Sequence, residues 1–238
     1  MAGHIVKSYD AEFAELDRMT AEMGGLAEAQ LADAVAALER RDPKLAETVV
    51  ASDRRIDALE QQLQERAINM IAKRQPLAND LRHIMIVLKI ASDLERIGDL
   101  AKNIAKRAIA ISGEGHPRTL VAGLGHMADL AHEQLKNVLD AFATRDVEKA
   151  MAVWHDDAAL DALYNSVFRE LLTYMMEDPR NIGLCTHLLF GAKNLERIGD
   201  HATNIAENIH FLVTGTALAD DRPKGDDTSS VLFSNPNA

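Results

Sequence analysis

The sequence predicts an all-α protein of six long helices, arranged as two pseudo-symmetric antiparallel three-helix bundles. Three observations carry that expectation. Helix formers such as Ala, Leu, Glu and Met are plentiful, and aromatic residues make up only 4% of the chain, so strand formers are scarce. Apolar residues recur at intervals of three and four between proline-marked breaks, as they do on one face of a helix. A stretch of the first half also returns almost unchanged about 100 residues later.

Taken in order, helices are expected at 9–40, 43–74, 77–112, 117–143, 146–176 and 179–214. Asp42-Pro43 and Asp178-Pro179 read as N-cap followed by first helical position. Gln75-Pro76 and Gly113-Glu114-Gly115-His116-Pro117 are breaks. Within the third helix, Leu81, Ile84, Leu88 and Ala91 keep the helical spacing, and so do Ile97, Ala101, Ile104 and Ala108. Gly24-Gly25 falls inside the first helix and offers a place for a bend. A helix of about 30 residues is a rod of about 45 Å, and short connections make neighbouring rods antiparallel. Residues 1–112 and 117–214 are thus expected to form two units. Gly, Asp, Pro, Ser and Asn crowd the segment 215–238, which is expected to be a disordered tail.

Composition narrows the function. With 47% hydrophobic residues in 238, the chain can bury a sizeable core. No run of about 18 uncharged apolar residues is present, so no membrane-spanning helix is expected. Met1 to Asp10 lack the apolar centre of a secretion signal. A single cysteine, Cys185, excludes an intramolecular disulfide and fits a reducing cytoplasm. The net charge of −11 repels phosphate backbones, which argues against nucleic acid as a partner. It suits cations and basic protein surfaces.

The repeat is specific. Leu94-Glu95-Arg96-Ile97-Gly98-Asp99 recurs as Leu195-Glu196-Arg197-Ile198-Gly199-Asp200, and Asn103-Ile104-Ala105 recurs as Asn204-Ile205-Ala206, at an offset of 101. Asp53-x-x-Ile56-Asp57-Ala58-Leu59 aligns with Asp157-x-x-Leu160-Asp161-Ala162-Leu163 at an offset of 104, as Asp42 does with Asp146. A three-helix unit has been duplicated.

Each unit carries two acidic pairs spaced by four: Asp53/Asp57 and Glu95/Asp99, then Asp157/Asp161 and Glu196/Asp200. That spacing sets both members on one helix face, about 5–6 Å apart at Cβ. If the chain turns back near residue 75, and again near 177, the pairs of each unit lie level on adjacent helices. Helices packed about 8–10 Å apart bring such carboxylates within reach of one cation. On helical wheels the Glu95, Asp99 and Asn103 stripe faces away from Ile97, Leu100, Ala101 and Ile104, so an acidic patch is expected on the outside of each hairpin. A solvated face is the ordinary use of such a patch. Its recurrence in both halves, beside Gly98 and Gly199, sets a second use level with that one, a divalent cation held by oxygen: Mg, Ca or Mn, with Fe or Zn as further options. The metal-ligand candidates are Asp53, Asp57, Glu95, Asp99, Asn103, Asp157, Asp161, Glu196, Asp200 and Asn204.

Other motifs are weak. Glu207-x-x-His210 has the spacing used in di-iron carboxylate bundles, but such sites need two copies. Gly123-x-Gly125 follows no strand, no nucleophile pattern is present, and no organic cofactor or catalytic residue is expected. Trp154 and the methionines read as core.

The doubled Leu-Glu-Arg-Ile-Gly-Asp and Asn-Ile-Ala pattern, spread over residues 4–214, resembles the PhoU family. The resemblance implies two pseudo-symmetric three-helix bundles in a cytoplasmic, often homodimeric, non-enzymatic regulator of phosphate uptake. It implies partners in the ATPase subunit of the phosphate ABC transporter and in a sensor histidine kinase, with repression of the phosphate-starvation response. Contact with the membrane would come only through those partners. It also implies surface metal binding through Glu/Asp-x-x-x-Asp motifs, which match the four pairs above.

The repeats are not chemically equal. Lys102, Lys106, Arg54 and Arg55 lie on or between the acidic pairs of the first unit, where the second has Thr203, Glu207, Ala158 and Ala159. Asp93 likewise becomes Asn194. The second patch, with fewer cations, is expected to bind metal more tightly.

Overall fold

In the structure, a computed structural model, residues 2–113 and 118–218 are described. Seven α-helices are present among them, with no strand: α1 Ala2–Arg40, α2 Pro43–Ser52, α3 Arg54–Arg74, α4 Asn79–Ile111, α5 Arg118–Thr144, α6 Val147–Glu177 and α7 Ile182–Thr214. α2 and α3 are one rod interrupted at Asp53, so the expected six-rod, two-repeat plan holds. The expected tail from residue 219 onward, and residues 114–117 of the second break, lie outside the described residues.

Local signals position the rods. The Asp42 carboxylate accepts from the backbone N–H groups of Lys44 and Leu45, and Asp146 accepts from that of Lys149, satisfying N–H groups that a helix start leaves open. Asp178 differs: it caps a short 3₁₀ turn, Pro179–Asn181, and α7 begins only at Ile182. Gln75 ends α3 in the left-handed conformation, φ 50°, and Ala78 also has positive φ, which makes the sharp reversal into α4. α1 runs unbroken through Gly24-Gly25. A Cβ on Gly24 would collide with the Leu139 side chain, so that glycine serves close approach of α5.

The expected unbroken helix over 43–74 is corrected at Asp53, although α6 runs straight through the matching Asp157. Ser52 precedes the interruption, and its hydroxyl donates to the Val49 carbonyl at 2.9 Å. Such local bonds compete with the helix ladder. Asp156 occupies the matching position in α6.

Across the halves, α4 lies antiparallel to α7: Arg82 stacks over Phe211, Asp93 meets His201 at 2.9 Å, and Arg107 stacks over Phe190. α1 lies antiparallel to α5, with Glu28 near His132, Gly24 against Leu139, and Asp17 bridged to Arg145 just beyond α5. The apolar residues of both halves form one continuous core. Equivalent residues occupy equivalent places in it: Met23 with Met127, Leu31 with Leu135, Ile56 with Leu160, Leu94 with Leu195. No helix among the described residues is long and apolar enough to cross a membrane.

Candidate functional site: two carboxylate clusters

The hairpins bring the acidic pairs together as their spacing predicts. In the first half, Lys102 Nζ donates to Asp53 Oδ2 and to Asp99 Oδ1, both at 2.5 Å, tying α4 to the α2–α3 junction. Asp53 Oδ1 accepts from Gln30 Nε2 at 3.0 Å, and the same amide donates to the Gly98 carbonyl at 3.2 Å. Three helices therefore meet at one carboxylate. Gly98 makes the approach possible, since a Cβ there would lie 2.8 Å from Ile56 Cδ1.

The orientation expected from the helical wheel is corrected. Asp53, Asp157, Asp161 and Glu196 are buried, at 3%, 2%, 4% and 5% exposure. Glu95, Asp99 and Asp200 are partly buried, and of the eight acids Asp57 alone is exposed. A two-helix wheel leaves out the third rod of each bundle. Gln30 on α1 and Gln134 on α5 cover the acidic edge from that side, and the glycines let the helices close over it. Asn103 and Asn204 are half-buried one turn beyond Asp99 and Asp200. Arg54, Arg55 and Lys106 are exposed, so of the four cations expected to neutralise the first cluster it is Lys102 that holds it.

The charge balance differs between halves. Burial disfavours the charged Lys102 ammonium, but its bonds to Asp53 and Asp99 outweigh that and hold its pKa above the usual lysine value. Away from this clamp, burial and then neighbouring carboxylates push Asp57 and Glu95 up, and burial raises Glu60. In the second half Thr203 replaces Lys102, buried with its hydroxyl donating to the Asp200 carbonyl at 2.8 Å. The cation there is Lys193, in a place where the first half has Ser92, and it donates to Glu196 Oε1 at 2.9 Å. Burial nevertheless keeps the Glu196 pKa above its ordinary value, with Lys193 opposing the shift and Asp200 adding to it.

Two buried oxygens in the second cluster have no hydrogen-bond partner, Glu196 Oε2 and Gln134 Oε1. Each such group costs about 1–3 kcal/mol. A Cβ on Gly199 would stand 2.9 Å from Gln134 Oε1 and 3.3 Å from Asp157 Oδ1, which sets the Gln134 and Asp157 oxygens beside that glycine. A cleft of about 490 Å³ between α5 and α6 reaches Gln134, passing Ala158 and Ala159.

Among the described residues, no group of three His, Cys, Asp or Glu side chains is gathered tightly enough to hold a metal by itself. A fully caged zinc or iron centre does not fit that arrangement. In the second half a hydrated hard cation fits, because Mg²⁺-like ions keep several waters and need one or two carboxylates. In the first half the ammonium of Lys102 already stands between Asp53 and Asp99.

Glu207 is occupied otherwise, accepting from the Trp154 indole at 2.9 Å. Gln30, Gln134 and Lys193 were not among the sequence candidates. The signal for the glutamines was present: they are separated by 104 residues, the offset that relates Asp53 to Asp157.

Comparison with known proteins decides the family. A family model described as the PhoU domain matches residues 20–108 and again 124–209. The chain belongs to the PhoU family. A Rhizobium meliloti protein named as a homologue of the phosphate-specific transport system accessory protein PhoU is 57% identical over 228 residues, covering 96% of each chain. A Caulobacter vibrioides protein of the same name is 53% identical over 226 residues, covering 95% of this chain and 98% of its own. The crystal structure of PhoU from Pseudomonas aeruginosa superposes with a TM-score of 0.83 at 41% identity, over 87% of this chain and 100% of that one. PhoU from Streptococcus pneumoniae, titled a phosphate transport system regulatory protein, gives 0.81 at 27% identity, over 88% and 99%. As a PhoU protein, the chain has a role in regulating phosphate transport.

Proposed function

We propose that the chain is a non-enzymatic, cytoplasmic regulator that represses the phosphate-starvation response when phosphate is plentiful. It does so by docking on the ATPase subunit of the phosphate ABC transporter and on a sensor histidine kinase, as a homodimer. The observation that carries this reading is the near-complete coverage of relatives named for the phosphate transport system, at 57% and 53% identity. Catalysis is not part of it, and Glu207, which has the di-iron spacing with His210, is engaged by Trp154. Deletion of the gene should raise secreted phosphatase activity in phosphate-replete cells, with restoration from a plasmid copy. Unchanged phosphatase in a strain free of paralogues defeats the proposal.

The carboxylate clusters are proposed to add metal binding to this role. Their donors are all oxygen, which favours Mg or Mn over Fe or Zn. Elemental analysis of freshly purified protein tests this, and a metal-free preparation that takes up no added manganese refutes it.

A further inference from the structure

The last helix ends beside an exposed apolar face, and the residues that follow carry an apolar run. We infer that the outer face of α4, at the tip of the first hairpin, is the seat of the chain's own C-terminal segment, anchored by Val231, Leu232 and Phe233.

The face stands at the reversal from α3 into α4. Leu77, Leu81 and Met85 follow one another at four-residue spacing and are 80%, 39% and 46% exposed. Ile68, exposed on α3, stands level with them across the reversal at Gln75–Ala78. Large apolar side chains exposed together mark an interaction surface.

α7 ends at the same place. The Arg82 guanidinium stacks over Phe211, and a Cβ on Gly215, the residue that closes α7, would collide with it. The chain therefore leaves α7 within one arginine side chain of the first turn of α4. Leu218 packs against the core just beyond.

In residues 219–238, Val231-Leu232-Phe233 is the one run of large apolar residues. Val231 lies thirteen residues beyond Leu218, a tether of about 45 Å at full stretch and about 20 Å as a flexible chain. The first tip is within that reach. The matching second tip, with exposed Leu172, Met176, Ile182 and Phe190, stands at the far end of α7, whose 33 residues measure about 50 Å. Length and exit point thus select the first tip.

Charge selects it as well. Asp220, Asp221, Asp226 and Asp227 outnumber Arg222 and Lys224 along the tether, whereas Lys73, Arg74 and Arg82 outnumber Asp80 around the reversal. Arg82 donates to Asn79 Oδ1 and pairs with no carboxylate among the described residues, and its Nε is buried without a partner. An acidic tether beside it supplies the missing charge. Seated there, the segment covers the first tip against other partners and leaves the second open to them.

Selective ¹³C labelling of the methionine methyl groups in the full chain reads the seat. Met85 reports on the first tip and Met176, 77% exposed, on the second; Met85→Leu and Met176→Leu assign the two resonances. Replacing Leu232→Ser together with Phe233→Ser alters no residue of the helices. It should shift the Met85 resonance, leave that of Met176 in place, and do so at every protein concentration. An unmoved Met85 resonance overturns the inference, and so does a shift of Met176 in its place. A wild-type Met85 resonance that moves on dilution assigns the face to a second copy and overturns it too.

Discussion

The two halves carry the same four carboxylates on the same hairpin and balance them from opposite sides. Lys102 clamps Asp53 to Asp99 in the first, whereas Lys193 reaches Glu196 in the second. Their repeat mates are Thr203 and Ser92. The backbone is pseudo-symmetric and the charge is not. A duplicated fold keeps the geometry that brings acids together, because the core residues enforce it, while one lysine on each helix decides what answers the acids. In the first half the clamp leaves Asp57 and Glu95 to repel their neighbours, and burial followed by those neighbours raises both pKa values.

The largest test of this contrast removes each half's residue in turn. Lys102→Met strips a buried carboxylate of its counter-charge and should lower stability by about 3 kcal/mol, the scale of breaking a buried ion pair from one side. Thr203→Val in the second half loses one hydroxyl bond to a carbonyl and should cost about 1 kcal/mol or less. Urea denaturation of both variants measures the gap. Equal losses would mean that Lys102 does not hold the first half together.

The glycines give the next effect, and here the second half is the more sensitive. A methyl on Gly199 meets Leu160 Cδ2 at 2.5 Å, Gln134 Oε1 at 2.9 Å and Asp157 Oδ1 at 3.3 Å. Three neighbours must yield, so Gly199→Ala should destabilise by about 1–3 kcal/mol. A methyl on Gly98 is crowded by Ile56 Cδ1, at 2.8 Å, with Asp53 Oδ1 at 3.5 Å. One buried side chain must yield there, partly offset by the about 1 kcal/mol that alanine gains over glycine in a helix, so Gly98→Ala should cost less than Gly199→Ala. Thermal melts of the two variants decide it.

How much of this was legible beforehand follows from which helices the reading weighed. The rods, their caps at Asp42 and Asp146, and the levelling of Asp53 with the Glu95/Asp99 pair all follow from spacing within one hairpin, and they hold. The direction of the acids did not follow, because it depends on the third rod. Asp157 and Asp161 flank the core on a wheel of α6 alone, and α5 covers them. Lys102 was placed on the acidic stripe correctly, but Arg54 and Arg55 were given a role that their exposure denies. Lys193 was missed because it lies just before the repeated motif, and the repeat marks what the halves share rather than where they differ. The break at Asp53 had no periodic signal either, since α6 passes the same position intact.

A third contrast lies across the α6–α7 hairpin. Trp154 and Glu207 form a bond that the first half lacks, having Val50 and Lys106 at those positions. Glu207→Ala should leave the buried indole N–H unsatisfied and cost about 1 kcal/mol. The chain has one tryptophan, so its fluorescence reports the change directly. An unchanged spectrum and midpoint would show that water replaces the carboxylate without loss.

The smallest effect is in pH dependence, and it sharpens the comparison at Glu196. Burial first, then Asp200 and Asp161, lift its pKa above the ordinary 4.5 in spite of Lys193. The folded state therefore binds this proton more tightly than the unfolded state does. Between 4.5 and the raised value the folded chain carries more proton on average, so this group's contribution to stability falls as pH rises through that window. Glu196→Gln removes the group that titrates there and should flatten the stability curve just above pH 4.5, leaving lower pH little changed. Glu95 has the same sign of shift from burial, with Asp99 next and Arg96 opposing, but it is more exposed. Glu95→Gln should flatten the curve less. Urea midpoints taken from about pH 4 to about pH 7 compare the two variants. A steeper curve for Glu196→Gln, or a larger change from Glu95→Gln, would mean that Lys193 neutralises the second cluster as fully as Lys102 does the first.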